Sequence, residues 1–237
     1  ERGFDELIDV FGADHSGYVK RMKAVVKAFS DGKVNLDVKL CQLVRLFKDG
    51  SPYKMSKRAG NFVTLNDMIS EVGKDVVRFL MLTRKNDAQL DFDFDKALEQ
   101  SKDNVVFYVQ YAHARCSSII EKSMEFNLNW KIRNIDEINL SLLSSENEKR
   151  IILKICEWPR VVESAGLSHE PHRIVFYLSE LAHEMHSFQH EGKLNRDLRV
   201  LTNDKNTTIA RLSLIIAIRN VIRIGLGILG VSPLTKM

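Results

Sequence analysis

From about residue 96 to the C-terminus, apolar side chains return at alternating steps of four and three. A pattern with that period can bury its apolar face as a helix but not as a strand. Val105, Val109, Ala112, Cys116 and Ile119 form the first such seam and predict a helix over residues 96–122. Ser145 followed by Glu148 is a capping box that opens a second helix through Ile151, Ile152 and Ile155, with Pro159 expected to kink or end it. Ser168 with Pro171 starts a third, whose stripe is Ile174, Leu178, Leu181, Met185 and Phe188. A fourth runs from Thr207 to Ile224 with Gly225 as its expected stop. The string Gly225 to Gly230 spells Gly-x-Gly-x-x-Gly, but it follows a helix rather than a strand, so it is not read as a dinucleotide fingerprint. Residues 95–237 are therefore expected to form an all-α bundle.

The first ninety-odd residues read differently. Leu7 to Phe11 is a short apolar run that stops at Gly12, as a buried strand would. A helix from Tyr18 to Phe29 follows, with Met22, Val25, Val26 and Phe29 on its apolar side. Val34 to Phe47 reads as a strand or strand pair. A strand, a Gly turn, a helix and a strand make a βαβ-like unit, and ligands in such sheets sit beyond the carboxyl ends of the strands. Asp14 and His15 fall at such an end, where Asp14 either caps a helix or meets a ligand. The loop Lys54-Met55-Ser56-Lys57-Arg58 lies between Gly and Pro punctuation; it is either a solvated turn or a cradle for polyphosphate. Thr64 opens a helix carrying Leu65, Met68, Ile69 and Val72, and another begins near Asp75. Leu90 to Asp95 alternates apolar and acidic residues. A calcium loop would need Gly and Glu where Lys96 and Lys102 stand, so the stretch is expected to be a connector with Leu90, Phe92 and Phe94 packed inward. A domain boundary is placed there, giving residues 1–94 and 95–237.

Length and charge narrow the function classes. The 237 residues suffice for one large or two ordinary domains, and the formal net charge of +4 permits nucleic-acid binding without requiring it. Cys41, Cys116 and Cys156 have no zinc-ligand spacing and suggest a reducing compartment. His183, His186 and His190 share a helix, but His183-Glu184-Met185-His186 is one residue short of the zincin pattern, so no metal site is expected. Leu212 to Leu229 is interrupted by Arg219, Asn220 and Arg223 and makes a poor membrane span. Residues 1–5 have no signal-peptide layout, and the expected location is cytoplasmic. Tyr108, Tyr111 and Arg115 lie on one stripe beside the core seam; they are either its half-buried edge or a platform for unpaired bases.

Lys54-Met55-Ser56-Lys57 resembles the signature loop of class I aminoacyl-tRNA synthetases. The longer run from Lys54 to Leu65 resembles the arginyl-tRNA synthetases, as do Gly12-Ala13-Asp14-His15 and the helix segment Asn104 to Arg115. The resemblance implies an α/β remainder of a Rossmann-type catalytic domain followed by a helical-bundle anticodon-binding domain, mostly α overall. It implies that residues 65–81 are stem helices joining the two. The implied reaction joins arginine to tRNA-Arg at the expense of ATP, with Mg2+ accompanying the nucleotide and no protein-bound metal. The arginine carboxylate attacks the α-phosphate, pyrophosphate leaves, and the terminal ribose hydroxyl of the tRNA then attacks the adenylate. By the same resemblance Lys54, Ser56 and Lys57 stabilise the departing pyrophosphate, while Gly12, Asp14, His15 and Met55 hold ATP. Tyr108, Tyr111, Arg115, Phe188 and the closing Met237 would contact tRNA. The family usually has an aromatic residue after Phe188, where this chain has Gln189. The His-Ile-Gly-His-type motif of the class is absent, so the chain reads as a C-terminal fragment, monomeric and inactive by itself. The alternative is a non-catalytic tRNA-binding module.

Overall fold

The computed structural model describes residues 3–53, 62–101, 103–125 and 137–237. The chain divides into two compact units. One comprises Glu1–Leu65 with Arg84–Ala97, and the other Asn66–Thr83 with Leu98–Met237. The two short helices that follow the Lys54 loop thus group with the helical bundle, whereas the sequence boundary at residue 94 assigned them to the first domain. This α/β-plus-helical-bundle architecture is the expected one, and most of it is helix.

The first unit contains strands β1 (Glu6–Gly12), β2 (Asn35–Cys41), β3 (Val44–Lys48), β4 (Ser51–Pro52) and β5 (Leu90–Asp93), with helices α1 (Val19–Phe29) and α4 (Phe94–Leu98). β1 and β2 pair in parallel, from Glu6 opposite Asn35 to Gly12 opposite Cys41. A parallel pair needs a crossover, and α1 supplies it, packing on β2. β3 is the centre of a second sheet, antiparallel to β4 and parallel to β5. Of the connector expected over residues 90–95, Phe94 opens α4, and residues 90–93 are therefore a strand. Its alternation is explained by pairing: Arg45 opposes Asp91, and its guanidinium donates to both carboxylate oxygens at 2.6 and 2.7 Å, while Phe92 and Phe94 are buried. The burial expected for β1 is not observed. Leu7, Ile8 and Val10 are 37, 48 and 68% exposed, because β2 is the strand's one partner among the described residues.

The second unit contains α2 (Leu65–Val72), α3 (Lys74–Met81), α5 (Val105–Glu125), α6 (Glu146–Ser168), α7 (His172–Leu194) and α8 (Lys205–Leu229). The single helix expected over 96–122 is two: α4 stops at Leu98, and α5 starts where the Asn104 carboxamide accepts from the backbone N–H groups of Val106 and Phe107. The Ser145–Glu148 capping box is present at the start of α6. That helix runs on through Pro159, and five residues before the proline the Tyr177 hydroxyl donates to the Lys154 carbonyl at 2.7 Å. α8 likewise continues past Gly225. A Cβ there would lie 2.7 Å from Leu178 Cδ2, so this glycine allows α7 and α8 to approach closely. Termination falls to Gly230, at φ 69° and ψ 32°. α8 is long and apolar enough to cross a membrane. Its Leu212, Ile215, Ile218, Ile222 and Leu226 are instead at most 1% exposed in the bundle core.

One buried ion pair locks the bundle. Arg211 on α8 donates to Glu148 Oε1 at 2.7 Å and to the carbonyls of Asp197 and Arg199 at 2.6 and 2.7 Å. Its partner Glu148 also completes the α6 cap. Burial pushes the Glu148 carboxyl up, but the Ser145 backbone N–H, Arg211 and the Ser145 hydroxyl together hold it below its ordinary range.

Candidate nucleic-acid interface

Two places collect the chemistry-bearing residues, one in each unit. In the sheet unit, β1 ends at Gly12 and the chain turns through a 3-10 segment, Ala13–Tyr18. A Cβ at Gly12 would sit 2.5 Å from Asp14 Oδ1, so glycine is what allows the carboxylate to fold back against the strand end. Asp14 and His15 lie 3.6 Å apart as a solvent-facing pair, 81 and 58% exposed. The His15 ring stands 6.1 Å from both Phe11 and Tyr18, and the Arg21 guanidinium lies over Tyr18 at 5.7 Å. Asp14 makes no side-chain cap. This is an open corner of one carboxylate, one imidazole and two aromatic rings set edge-on or tilted to it, at the carboxyl end of a parallel strand. Lys54, Met55, Ser56 and Lys57 lie outside the described residues.

In the helical unit, α5 and α7 assemble a ring cluster. Phe107 and Tyr111 are four residues apart on α5 and stack at 5.8 Å with an 8° interplanar angle. From α7, His186 enters between Tyr108 and Tyr111, 4.5 Å from the first ring and stacked at 5.5 Å on the second. Its Nε2 donates to the Tyr108 carbonyl at 3.2 Å, which places a proton on Nε2, and burial lowers the basicity of the ring. Tyr108 Oη lies 3.4 Å from His183 Nδ1. The Arg115 guanidinium sits 5.7 Å from the Tyr111 ring, and its Nε donates to Gln189 Oε1 at 3.2 Å. Tyr108, Tyr111 and Arg115 are all half-buried. The cluster is a preassembled aromatic ladder with a cation at one end, suited to stacking a planar base at low ordering cost.

Phe188 does not join it. Its ring is 1% exposed and belongs to the core, which leaves Gln189 as the polar group presented next to Arg115. The C-terminal tail takes the other side of α5. Gln110 Nε2 donates to the Ser232 carbonyl at 3.1 Å, and His113 Nδ1 donates to the Leu234 carbonyl at 2.7 Å. Gln110 and His113 share a stripe roughly opposite that of Tyr111 and Arg115, so these contacts do not carry the half-exposed Met237 to the ring cluster. The sequence reading missed His186, which it weighed as a metal ligand. Its spacing from His183, facing an aromatic stripe on α5, is the signal that points to stacking instead.

Residues 109–237 match the family described as the DALR anticodon binding domain. The chain belongs to that family. It is homologous over its whole length to the C-terminal portion of arginine–tRNA ligases. It is 56% identical over 237 residues to the arginine–tRNA ligase of Ruegeria pomeroyi, and 56% over 236 residues to that of Roseobacter denitrificans. In both cases all of this chain is covered and 41% of the relative, so the chain spans about two fifths of the length of these curated relatives. A solved structure from Campylobacter jejuni assigned as an arginyl-tRNA synthetase superposes with a TM-score of 0.80 at 31% identity, covering 100% of this chain and 49% of that one. The Thermus thermophilus arginyl-tRNA synthetase shares the fold with a TM-score of 0.76 at 20% identity, covering 98% and 41%. The DALR domain of this chain contains most of the ring cluster: Tyr111, Arg115, His186 and Gln189 all fall within it.

Proposed function

We infer that this chain reads the anticodon arm of tRNA-Arg through the α5–α7 ring cluster, as part of an enzyme that ligates arginine to that tRNA with ATP. The observation that carries the reading is the Tyr108–His186–Tyr111 ladder with Arg115 at its end, most of it inside a domain of an anticodon-binding family. An unpaired base stacks on such rings, and the Arg115 donors not engaged by Gln189 meet a base edge or phosphate. In the sheet unit, Asp14 accepts a ribose hydroxyl of ATP, with Gly12 and His15 shaping the corner. Met55, Lys54, Ser56 and Lys57 of the following loop, which lie outside the described residues, hold the triphosphate with its Mg2+ and stabilise the pyrophosphate as it leaves. The location is cytoplasmic and the chain acts as a monomer. The 237 residues alone bind tRNA without charging it.

Titration of the chain with labelled tRNA-Arg, against a tRNA of different anticodon, tests the reading. Tyr111→Ala should weaken tRNA-Arg binding by roughly five- to a hundredfold, the value of one to three kcal/mol per stacked base, and reduce discrimination between the two tRNAs. Unchanged affinity in Tyr111→Ala would remove the ring cluster from the interface. The alternative, a non-catalytic tRNA-binding module, is favoured by the openness of the Asp14 corner. Under it, ATP binding is absent and Asp14→Ala changes nothing.

A further inference from the structure

We propose that a cationic cavity beside the ring cluster is a subsite for an RNA backbone phosphate, with Lys122, Lys193 and Arg199 as its ligands alongside Arg115. The proposal rests on the tRNA-binding reading above and extends it to residues outside the ladder. The cavity, of about 370 Å3, opens between α5, α7 and the turn around Leu198. Arg115 and Lys122 come from α5, Lys193 from α7, and Arg199 from the turn, over a floor that includes Ile119 and Phe188. Among the described residues, no carboxylate lines it.

That charge balance differs from the paired cations of the bundle. Elsewhere on these helices Lys149, Arg150, Lys154, Arg173 and Arg211 each pair with a glutamate. Among the described residues, none of the four cations of this cavity has an acidic partner. Like charges gathered around one concavity repel one another unless an anion shares the space. The wall is also built. Gly192 brings the turn close to α7: a Cβ there would be 3.1 Å from the Leu198 carbonyl oxygen. Arg199 is then anchored by donation of its Nε–H to the Gly192 carbonyl at 3.1 Å. Arg115 is anchored in the same way by Gln189, so two guanidinium groups are held with their remaining donors unspent. Arg115 belongs to both places. A base stacked on the Tyr111 ladder therefore has its own or its neighbour's phosphate within reach of this cavity. Apolar floor and cationic rim suit a phosphodiester of single-stranded RNA better than a free divalent anion, which would gain nothing from Ile119 and Phe188.

The test is fluorescence anisotropy of a labelled tRNA-Arg transcript with the full chain, from roughly 50 to 200 mM salt. Lys122→Gln/Lys193→Gln spares the anchored arginines and the fold, and its helicity is checked by circular dichroism. Each phosphate contact on a single strand contributes about 0.7 to the slope of log affinity against log salt, or about fivefold in affinity near 0.1 M. The double variant should lose about that slope and affinity for each contact removed, equally for tRNAs of any anticodon. Tyr111→Ala should lower affinity with the slope intact. An unaltered slope and affinity in the double variant, with Tyr111→Ala still impaired, would overturn the phosphate subsite and leave the ring-cluster reading standing. No binding by the unmodified chain would overturn the ring-cluster reading, and the subsite with it.

Discussion

The sheet unit and the helical unit handle apolar surface in opposite ways. In the helical unit the long side chains of α5, α7 and α8 meet one another: Val109, Leu178, Leu181, Met185, Ile215 and Ile222 are at most 1% exposed. In the sheet unit Phe29 is 90% exposed, Leu43 76% and Val10 68%. An amphipathic helix finds its complement in the next helix of the same chain, so a bundle closes on itself. A parallel strand needs covered faces and neighbours on both edges, and β1 has β2 alone among the described residues. The curated relatives are more than twice as long as this chain, which covers 41% of them. The difference teaches that the bundle buries its apolar surface within itself, whereas the strand unit leaves apolar surface exposed among the described residues.

The largest effect that could break this contrast lies at the buried ion pair. Arg211→Ala leaves Glu148 charged, buried and stripped of its partner, so urea denaturation should show a loss of about 3–5 kcal/mol in the helical transition. A change below 1 kcal/mol would mean that the bundle does not depend on its interior pairing. A smaller, reversible effect follows from pH. His113 and His186 are held below the ordinary histidine value of 6.5, chiefly by burial. Each takes up a proton less readily when folded than when unfolded, so bundle stability should fall as pH drops below 6.5. Glu148, held low in the fold, adds a further loss at more acidic pH, below its ordinary value of 4.5. The measurement is the urea midpoint between pH 8 and pH 5, and His113→Gln should flatten the histidine part. A midpoint that rises on acidification would contradict the assignment. The smallest effect sharpens the other side of the comparison. Phe29→Ala should change stability by less than about 0.5 kcal/mol, since the ring is already in water. A cost above 2 kcal/mol would show that α1 is covered in solution.

Local signals were readable without coordinates. The capping box at Ser145 and Glu148 is a pair of side chains three residues apart, and it formed as written. The apolar stripe of α7 from Ile174 to Phe188 is likewise a property of one segment. Phe188, which the resemblance offers as a tRNA contact, has its ring buried in the core, because resemblance to a family names a position and not the direction of its side chain. The stop assigned to Gly225 failed because glycine serves both as a terminator and as a gap. Which role it takes depends on Leu178, forty-seven residues away in the chain.

By itself, then, the sequence determined where the main helices of the bundle lie, that a βαβ-like start precedes a helical bundle, and which family the chain resembles. Those properties depend on periodicity and on short runs of neighbouring residues. Only the tertiary structure decided that residues 90–93 are a strand, that His186 enters between two tyrosines and stacks on Tyr111, that Arg211 reaches Glu148, and that four cations share one cavity. Each of these joins groups from separate elements, and no local pattern encodes a distance across the fold.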